Sequence, residues 1–300
     1  MRKLNAMIKK LLGISGRIAL NDVQVKRLDQ IAGIDKGVQL LLMLKYQELL
    51  RQGAPLPSFE EVEFRSFSQC GEDGILLYIF SLIGSTNKKC AEVCAGNGIV
   101  ANTANLIVNH GWTGLLVDGD PLKVATGQRF YAECPDTCVW PPTFVQEWVT
   151  RDSINGILER GEMAGEIDLL SLDMDGVDYW IWKAIECASP RVVVVEYQDI
   201  LGPDRAVTVP YADDFRAHFE GAGPDYAGAS LAAYVKLGKE KGYRLVGCQR
   251  YGFNAFFIRN GVGDTIFPEI PAKDCFKHPC VIHGIKHRQP KILDREWIEV

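Results

Sequence analysis

Two features that many functional classes require are scarce in this 300-residue sequence: long apolar runs and an excess of positive charge. No apolar run approaches the ~18 residues that a helix needs to cross a bilayer. The 33 lysines and arginines are outnumbered by 38 acidic residues, which gives a formal net charge of −5. A general nucleic-acid-binding protein needs a basic face to neutralise phosphates, so this balance argues against nucleic acid as a partner. We therefore expect a protein that is soluble or peripheral to a membrane.

Secretory signals and regularly spaced cysteines are also lacking. The nine cysteines are scattered through apparent strands and helices, which in a long chain indicates reduced thiols and a cytoplasmic location. The C-terminal tail does carry five cysteines and histidines: Cys275, His278, Cys280, His283 and His287. Their spacings do not match a paired-cysteine zinc site, so we favour no zinc there.

Residues 1–58 are predicted to form a helical extension. Periodic apolar residues run from Leu4 to Leu12, from Val23 to Ile31 and from Val38 to Leu50, before a linker at 53–58. Residues 1–20 hold five basic and no acidic residues, which favours a basic amphipathic first helix. Packing on the core or on a second subunit is the favoured interpretation, and contact with the inner face of a membrane is the alternative.

A strand, a glycine turn and a helix are predicted in the stretch 90–110. A short apolar strand ends at Glu92, the small residues Ala95, Gly96 and Gly98 allow a tight turn, and apolar residues spaced over 99–108 predict a helix against a sheet. Glycine at such a turn lets the backbone approach a ligand closely. This unit is typical of nucleotide-binding α/β proteins.

The next strand, 115–117, ends at Asp118, about 20 residues beyond the glycine turn, where an acid holds the ribose hydroxyls in nucleotide-binding units. The dinucleotide fingerprint Gly-x-Gly-x-x-Gly is absent, however. Only Gly96-Asn97-Gly98 remains, and Cys94 stands where another glycine is expected. A cradle for a pyrophosphate is therefore not the favoured interpretation.

Two later strands carry acids at their ends. Asp173 and Asp175 follow the apolar strand 167–172, and Glu196 follows 192–195, a run of valines typical of a strand buried on both faces of a parallel sheet. Ligands of open α/β sheets bind at the carboxyl ends of the strands. We therefore expect the three carboxylates to converge beside the glycine turn.

Three carboxylates in a partly dry cleft repel one another, and two arrangements that relieve this stay open. In one, Asp173 and Glu196 hold Mg²⁺, which keeps positions for two substrate oxygens. In the other, one acid is a general base and another binds a substrate hydroxyl, without a metal. The irregular stretch 198–230 is predicted to be a lid over the acceptor, and its His218 is either a further base or a solvated loop histidine.

The pattern from Glu92 to Gly98, an acid, x, a small residue, x, Gly, x, Gly, resembles the first motif of class I S-adenosylmethionine (SAM) methyltransferases, with Asp118 in the place of their ribose-binding acid. Further stretches at 68–74, 102–106, 111–114 and 170–176 are similar to those of the FkbM-like methyltransferases. The resemblance covers roughly residues 66 to 200 and extends more loosely to about 260. It implies SAM as cofactor.

The resemblance also implies a set of cofactor-binding residues: Gln69 and Glu72 near the methionine end, Glu92, Gly96, Asn97, Gly98, Asp118 and Asp173 around the turn and the ribose, and Glu147 and Trp148 near the adenine. Asp173, Asp175, Glu196 and His218 are the catalytic candidates, and Asp173 and Glu196 are the candidates for a metal.

The expected fold is α/β, a Rossmann-like seven-stranded methyltransferase sheet, mostly parallel, with an antiparallel edge hairpin from 243–248 and 254–258. The expected divisions are the helical extension 1–58, a methyltransferase domain 59–262 and a tail 263–300. The expected function is in-line methyl transfer from SAM to a hydroxyl of a small-molecule or glycan acceptor, with carboxylate or metal assistance.

Two other functional classes stay open. Asp173-Met174-Asp175 matches the Asp-x-Asp signature of metal-dependent glycosyltransferases, although that signature leaves the glycine turn and Asp118 unexplained. The chain could instead be a cofactor-free interaction module that works through its N-terminal helices.

Overall fold

The computed structural model of the chain describes residues 34–219 and 224–300. The helices predicted before residue 34 lie outside the described residues. The helices are α1 Lys36–Gln52, α2 Phe59–Val62, α3 Glu72–Ile83, α4 Ala104–His110, α5 Pro121–Glu133, α6 Ile154–Arg160, α7 Asp178–Ala184, α8 Leu231–Glu240 and α9 Pro279–His287. The strands are β1 Lys89–Val93, β2 Thr113–Asp118, β3 Thr143–Gln146, β4 Gly165–Leu172, β5 Ala188–Glu196, β6 Val207–Thr208, β7 His218–Phe219, β8 Pro224–Tyr226, β9 Tyr243–Cys248, β10 Asn254–Arg259 and β11 Ile298–Glu299.

Seven of these strands form one sheet in the order β3-β2-β1-β4-β5-β10-β9. Strands β1 to β5 pair in parallel, and β10 is antiparallel to both β5 and β9. The chain order of the strands reverses between β1 and β4, and such a switch point leaves a crevice at the carboxyl ends of the strands. The predicted Rossmann-like seven-stranded methyltransferase sheet with an antiparallel edge hairpin is confirmed.

The central strand β5 is buried on both faces, as its run of valines predicted. Val193 and Val195 lie in one core cluster with Trp182, and Val192 and Val194 lie in the cluster on the opposite face. All four valines have no exposed surface. Full burial of a side chain of this size stabilises the fold by ~1.5–3 kcal/mol.

Helix α4 begins later than predicted. The expected helix covered 99–108, whereas residues 99–103 form turns and the helix begins at Ala104. The reason is Glu92, whose carboxylate accepts hydrogen bonds from the backbone N–H of Asn102 at 3.0 Å and of Thr103 at 2.8 Å. These bonds take N–H groups that an earlier helix would direct at its own carbonyls.

The opposite, amino edge of the sheet is held by a buried charge pair. Asp168 of β4 has no exposed surface and accepts hydrogen bonds from the backbone N–H groups of Thr86, Asn87 and Lys88. The guanidinium of Arg191 contacts Asp168 Oδ1 at 2.7 Å. Burial acts to raise the pKa of Asp168, but Arg191 and the three N–H groups lower it overall. The charge is therefore compensated inside the fold.

The stretch 198–230 and the tail pack on one another. β6 pairs with β11 near the C-terminus, and Arg288 Nε donates to Asp225 Oδ1 at 2.7 Å. Two indoles also fix the stretch, because Trp180 Nε1 donates to the carbonyl oxygen of Val209 and Trp148 Nε1 to that of Asp213. The described part of the predicted lid is therefore tied to the domain at several points.

None of the helices in the described ranges is long and apolar enough to cross a membrane. All nine cysteines lie within these ranges, and none of them forms a disulfide.

Candidate active site

A cavity of about 420 Å³ lies at the carboxyl edge of the sheet, beside the switch point. This volume falls in the range of ~300–1,000 Å³ that is usual for small-molecule sites. Five acidic residues line the cavity, and Lys123 is the only lysine or arginine among the described residues of its wall. The acids are Glu72, Glu92, Asp173, Asp175 and Glu196. The wall therefore favours a ligand that carries positive charge.

The turn after β1 is built from left-handed backbone. Cys94, Gly96 and Gly98 have φ of 60°, 59° and 66°. A Cβ at Gly98 would lie 2.6 Å from Leu116 Cδ1, so packing against β2 requires glycine there, whereas a Cβ at Gly96 would meet open space. Gly96, together with Cys94 and Ala95, lines the cavity. Cys94 adopts a conformation that costs a non-glycine residue ~1–2 kcal/mol.

Asp118 lies behind this turn and holds it in place. Its Oδ2 accepts from the N–H of Gly96 at 2.8 Å, and its Oδ1 accepts from the N–H of Asp120 at 2.8 Å. A carboxylate has about four acceptor positions, so two remain for other donors. The carboxylate is largely buried and the residue stands beside the cavity wall and not in it.

Glu92 is engaged by the protein. In addition to the two backbone N–H groups, its Oε2 accepts from the hydroxyl of Thr103 at 2.6 Å. Burial raises its pKa above the ordinary value. The observed role of the side chain is to hold the turn that precedes α4, and it presents only part of its surface to the cavity.

Asp173 follows β4 and Glu196 ends the adjacent strand β5, and both line the cavity, close enough for each carboxyl group to shift the pKa of the other. Burial, together with the nearby Asp178 and Asp175, raises the pKa of Asp173 to about 7. Burial and the charge of Asp173 raise the pKa of Glu196 well above its usual range. The raised pKa of both groups means that the pair holds a proton more readily than two separate carboxyl groups do.

The other two acids of the β4 end differ in exposure. Asp175 is an exposed residue at the cavity mouth, with a backbone φ of 51°. Its carboxyl group is partly buried, and this burial raises its pKa. Asp178 is buried, accepts from the N–H groups of Met174 at 2.7 Å and Gly176 at 3.1 Å, and has a pKa raised by burial to about 6. Asp178 shapes the loop, and Asp175 faces whatever enters.

Asn254 comes to the same edge because β10 is antiparallel, so that its first residue pairs with Glu196, the last residue of β5. Its Nδ2 donates to Glu72 Oε1 at 2.9 Å. Its Oδ1 is buried and accepts no hydrogen bond from the described part of the chain. Because buried polar atoms are nearly always paired, this oxygen indicates a missing donor at the cavity wall.

The predicted residues Gln69 and Glu72 also lie in the cavity wall. Glu72 is buried at the start of α3, where its Oε2 accepts from the N–H of Cys70 at 3.0 Å, and Gln69 is exposed at the rim. The structure thus brings Gln69, Glu72, Glu92, Gly96, Asp173, Asp175 and Glu196 together in one cavity, and their roles in cofactor binding and catalysis remain predictions.

Besides Asp118, four predicted cofactor residues stand outside the wall. Asn97 Oδ1 accepts a hydrogen bond from the N–H of Ile99, and Glu147 forms an ion pair with Arg160. The guanidinium of Arg216 lies over the ring of Trp148, 5.0 Å from its centroid. Gly98 faces β2, as described above. The predicted adenine contacts of Glu147 and Trp148 remain predictions.

The prediction for His218 concerns a side chain outside the described residues, and only its backbone, in β7, is placed. The structure gives less support for a metal ion at Asp173 and Glu196 than the pattern of acids at the strand ends did. Nowhere in residues 34–219 and 224–300 do three or more His, Cys, Asp or Glu side chains form a group that could hold a metal ion. A proton held by the Asp173–Glu196 pair would relieve their repulsion without a metal.

Sequence reasoning missed several residues of the site. Lys123 and Phe253 line the cavity, and Asp178 lies behind the acids at the β4 end. The acid in the first turn of α7 is a pattern that could have indicated Asp178. Lys123 is an exposed lysine in the first turn of α5, and nothing in its sequence neighbourhood distinguishes it from an ordinary surface lysine.

No family model matches the chain, and no curated protein matches it. Solved structures do match. One is a magnesium protoporphyrin IX methyltransferase from Synechocystis with bound SAM, at 12% identity and a TM-score of 0.39, covering 76% of this chain and 99% of that chain. Another is a SAM-dependent methyltransferase from Clostridium acetobutylicum, at 10% identity and a TM-score of 0.39, covering 73% of this chain and 98% of that chain.

An O-methyltransferase family protein from Burkholderia thailandensis is similar at 12% identity and a TM-score of 0.40, covering 64% of this chain and 60% of that chain. Likeness at these identities and scores carries no argument about activity. The fold rests on the strand order and register of the chain itself.

Proposed function

We propose that this chain is a SAM-dependent O-methyltransferase that methylates a hydroxyl of a sugar or glycan. The observation that carries the proposal is the acidic cavity at the carboxyl edge of a seven-stranded methyltransferase sheet, between a left-handed glycine turn and the Asp173–Glu196 pair. The FkbM-like motifs in the sequence support it further. A cytoplasmic location, with an oligomer or membrane contact through the N-terminal helices, belongs to the same proposal.

The cavity suits SAM in charge and in shape. SAM carries a sulfonium and an ammonium against one carboxylate, so it brings net positive charge to a wall with five acids and one lysine. The unpaired Oδ1 of Asn254 could accept from its ammonium, and the free acceptor positions of Asp118 could accept from its ribose. A Cβ at Gly96 would have no atom within 4 Å, so the backbone faces open space there and the cofactor can lie against the turn.

Asp173 and Glu196 would handle the proton of the acceptor. When bound, SAM supplies an electrophilic methyl group on a sulfonium. A hydroxyl that attacks this group must lose its proton, and Asp173, whose pKa burial raises to about 7, is the candidate base that accepts it. Glu196, whose pKa burial and the charge of Asp173 raise well above its usual range, would keep the proton of the pair and leave Asp173 as the base. Of the two alternatives left by the sequence, this arrangement favours the one without a metal.

The choice of a sugar or glycan acceptor rests on polar groups around the cavity. Asp175 at the mouth and Asn254 in the wall can hold hydroxyls, and Phe253, with 41% of its surface exposed, offers a flat apolar face. Sugars present both hydroxyl rims and apolar ring faces. Most of the catalysis would come from positioning, as in other in-line displacements.

Isothermal titration calorimetry of the full chain tests the cofactor. SAM and S-adenosylhomocysteine should each bind saturably, with or without EDTA, and Asp118→Ala should abolish or strongly weaken binding. The matched control is Asp120→Ala, which removes the side chain that accepts from the N–H of Leu122 at the start of α5 but leaves Asp118 in place.

UDP-glucose with MgCl₂ serves as the probe for the other enzyme class, the metal-dependent glycosyltransferases. If the SAM pair fails to bind while UDP-glucose binds only with Mg²⁺, the glycosyltransferase replaces this proposal. If neither binds, the cofactor-free interaction module is the better account.

A further inference from the structure

A second pocket, of about 330 Å³, adjoins the acidic cavity. Gln69 and Cys70 belong to the walls of both, so the segment 69–70 is the boundary between them. We propose that this second pocket is the acceptor subsite and that it binds the anionic group, a phosphate or a carboxylate, of a hydroxylated ring. The inference rests on the proposed methyltransferase function, because it names the class of acceptor.

The charge of the second pocket is opposite to that of the cavity. Two arginines and one acid line it: Arg65, Arg250 and Glu63. The charge of Glu63 is already paired with Arg250, since its two carboxylate oxygens accept hydrogen bonds from the backbone N–H and the guanidinium of that residue. Arg65 is exposed and forms no ion pair with any side chain in the described ranges. The pocket therefore offers one uncompensated guanidinium, a group that binds phosphate and carboxylate through paired N–H donors.

The wall that carries Arg65 is fixed from inside the domain. Asp73 Oδ2 accepts from the backbone N–H groups of Ser66, Phe67 and Ser68, at 2.6 to 2.8 Å. The buried Gln249 donates to the carbonyl oxygen of Cys70 at 3.3 Å and so ties this wall to the opposite one. A preformed wall lowers the ordering cost of binding.

Tyr251 and Phe253 form an exposed aromatic surface, the aromatic ledge, that runs across both compartments. The turn between β9 and β10 places Tyr251 in the second pocket and Phe253 in the cavity, with 38% and 41% of their surfaces exposed. The rings of Tyr251 and His278 pack nearly perpendicular to one another with their centroids 4.8 Å apart, and this contact holds the tyrosine in place. Aromatic faces of this kind take the apolar faces of sugar rings. A ring on the ledge would have its anionic group toward Arg65 and a hydroxyl toward Asp173.

Binding of small probes to the full chain tests the subsite. Glucose 1-phosphate, glucose 6-phosphate and glucuronate are titrated by calorimetry into the protein, both cofactor-free and loaded with S-adenosylhomocysteine, with neutral glucose as reference. At least one anionic sugar should bind more tightly than glucose. Comparison of the phosphates with glucuronate distinguishes the two sources of negative charge.

Arg65→Gln should weaken the binding of the anionic probe by about tenfold, because it removes one charge-assisted contact. The binding of glucose should stay unchanged. Arg65 is chosen over Arg250 because its loss leaves no buried acid unpaired. The matched control is Arg129→Gln, an exposed arginine on α5, which changes the net charge equally and should have no effect.

The outcomes separate this inference from the proposed function. If S-adenosylhomocysteine binds but no anionic sugar binds better than glucose, or if Arg65→Gln changes nothing, the subsite is wrong and the methyltransferase proposal stands. If an anionic sugar binds through Arg65 while S-adenosylhomocysteine does not bind, the pocket is an anion-binding site, and the methyltransferase proposal fails together with the role of the pocket as its acceptor subsite.

Discussion

At the scale of single residues, the proposed chemistry depends on Asp173 and Glu196, two carboxyl groups whose pKa values are both raised. Two carboxyl groups at adjacent strand ends would repel one another if both were ionised, and a proton between them removes that repulsion. In the proposed mechanism a proton on Asp173 would stop the reaction, since only the ionised Asp173 can accept a proton from a hydroxyl. Burial is the main cause of the raised pKa of both groups.

Methyl transfer should therefore depend on pH through Asp173. Below its pKa of about 7 the base is protonated and inactive, so the rate should rise with pH and level off above about 8. Asp173→Asn should lower the rate by ~10²- to 10⁴-fold and remove this rise. Initial rates with tritium-labelled methyl groups on SAM, measured from pH 5.5 to 9, check both points. A rise that persists in Asp173→Asn would assign the base to another group.

Cys94 carries a testable backbone strain. Its φ of 60° is one that glycine adopts freely, so Cys94→Gly should be more stable than Cys94→Ala by about 1 kcal/mol. Alanine is the proper reference because it removes the thiol and keeps the strained Cβ. Urea unfolding of both variants measures the difference, and equal stabilities would mean that the turn relaxes when the side chain changes.

At the scale of elements, the two edges of the sheet have different roles. The carboxyl edge holds groups whose pKa values are raised by burial, whereas the amino edge holds Asp168, whose pKa is lowered by Arg191 and three backbone N–H groups. The first arrangement costs stability and provides chemistry. The second stabilises the sheet.

Arg191→Met should accordingly destabilise the fold by ~3 kcal/mol or more, because it leaves the buried Asp168 carboxylate without its cation. The double variant Arg191→Met/Asp168→Leu should recover part of the loss. Folded Arg191→Met should still bind S-adenosylhomocysteine as the unmodified chain does, since this edge lies across the sheet from the cavity. Denaturant unfolding and calorimetry check these expectations, and a small loss of stability in Arg191→Met would contradict the role of the pair.

The elements that sequence predicted best are those with strong periodicity. The valine run of β5 and the acids at the ends of β4 and β5 could be placed because parallel strands end at one edge. The start of α4 could not, since it depends on Glu92, ten residues earlier, accepting the N–H groups of Asn102 and Thr103. Which partner a carboxylate takes is decided by tertiary structure.

At the scale of the whole molecule, the domain places two compartments of opposite charge next to one another. The acidic cavity comes from the ends of β1, β4, β5 and β10, and the arginine pocket from residues 63–71 and 250–251. Such a pair could not be predicted from the sequence, because the contact between Gln249 and Cys70 spans 179 positions. The strand-end pattern predicted the first compartment only.

The central claim is that the acidic cavity holds SAM, and a crystal structure with S-adenosylhomocysteine tests it most directly. We expect the ligand between the turn 94–98 and Asp173, with its ribose near Asp118 and a donor within hydrogen-bond distance of Asn254 Oδ1. Ligand density elsewhere on the chain, in protein that calorimetry shows to be saturated, would contradict the account.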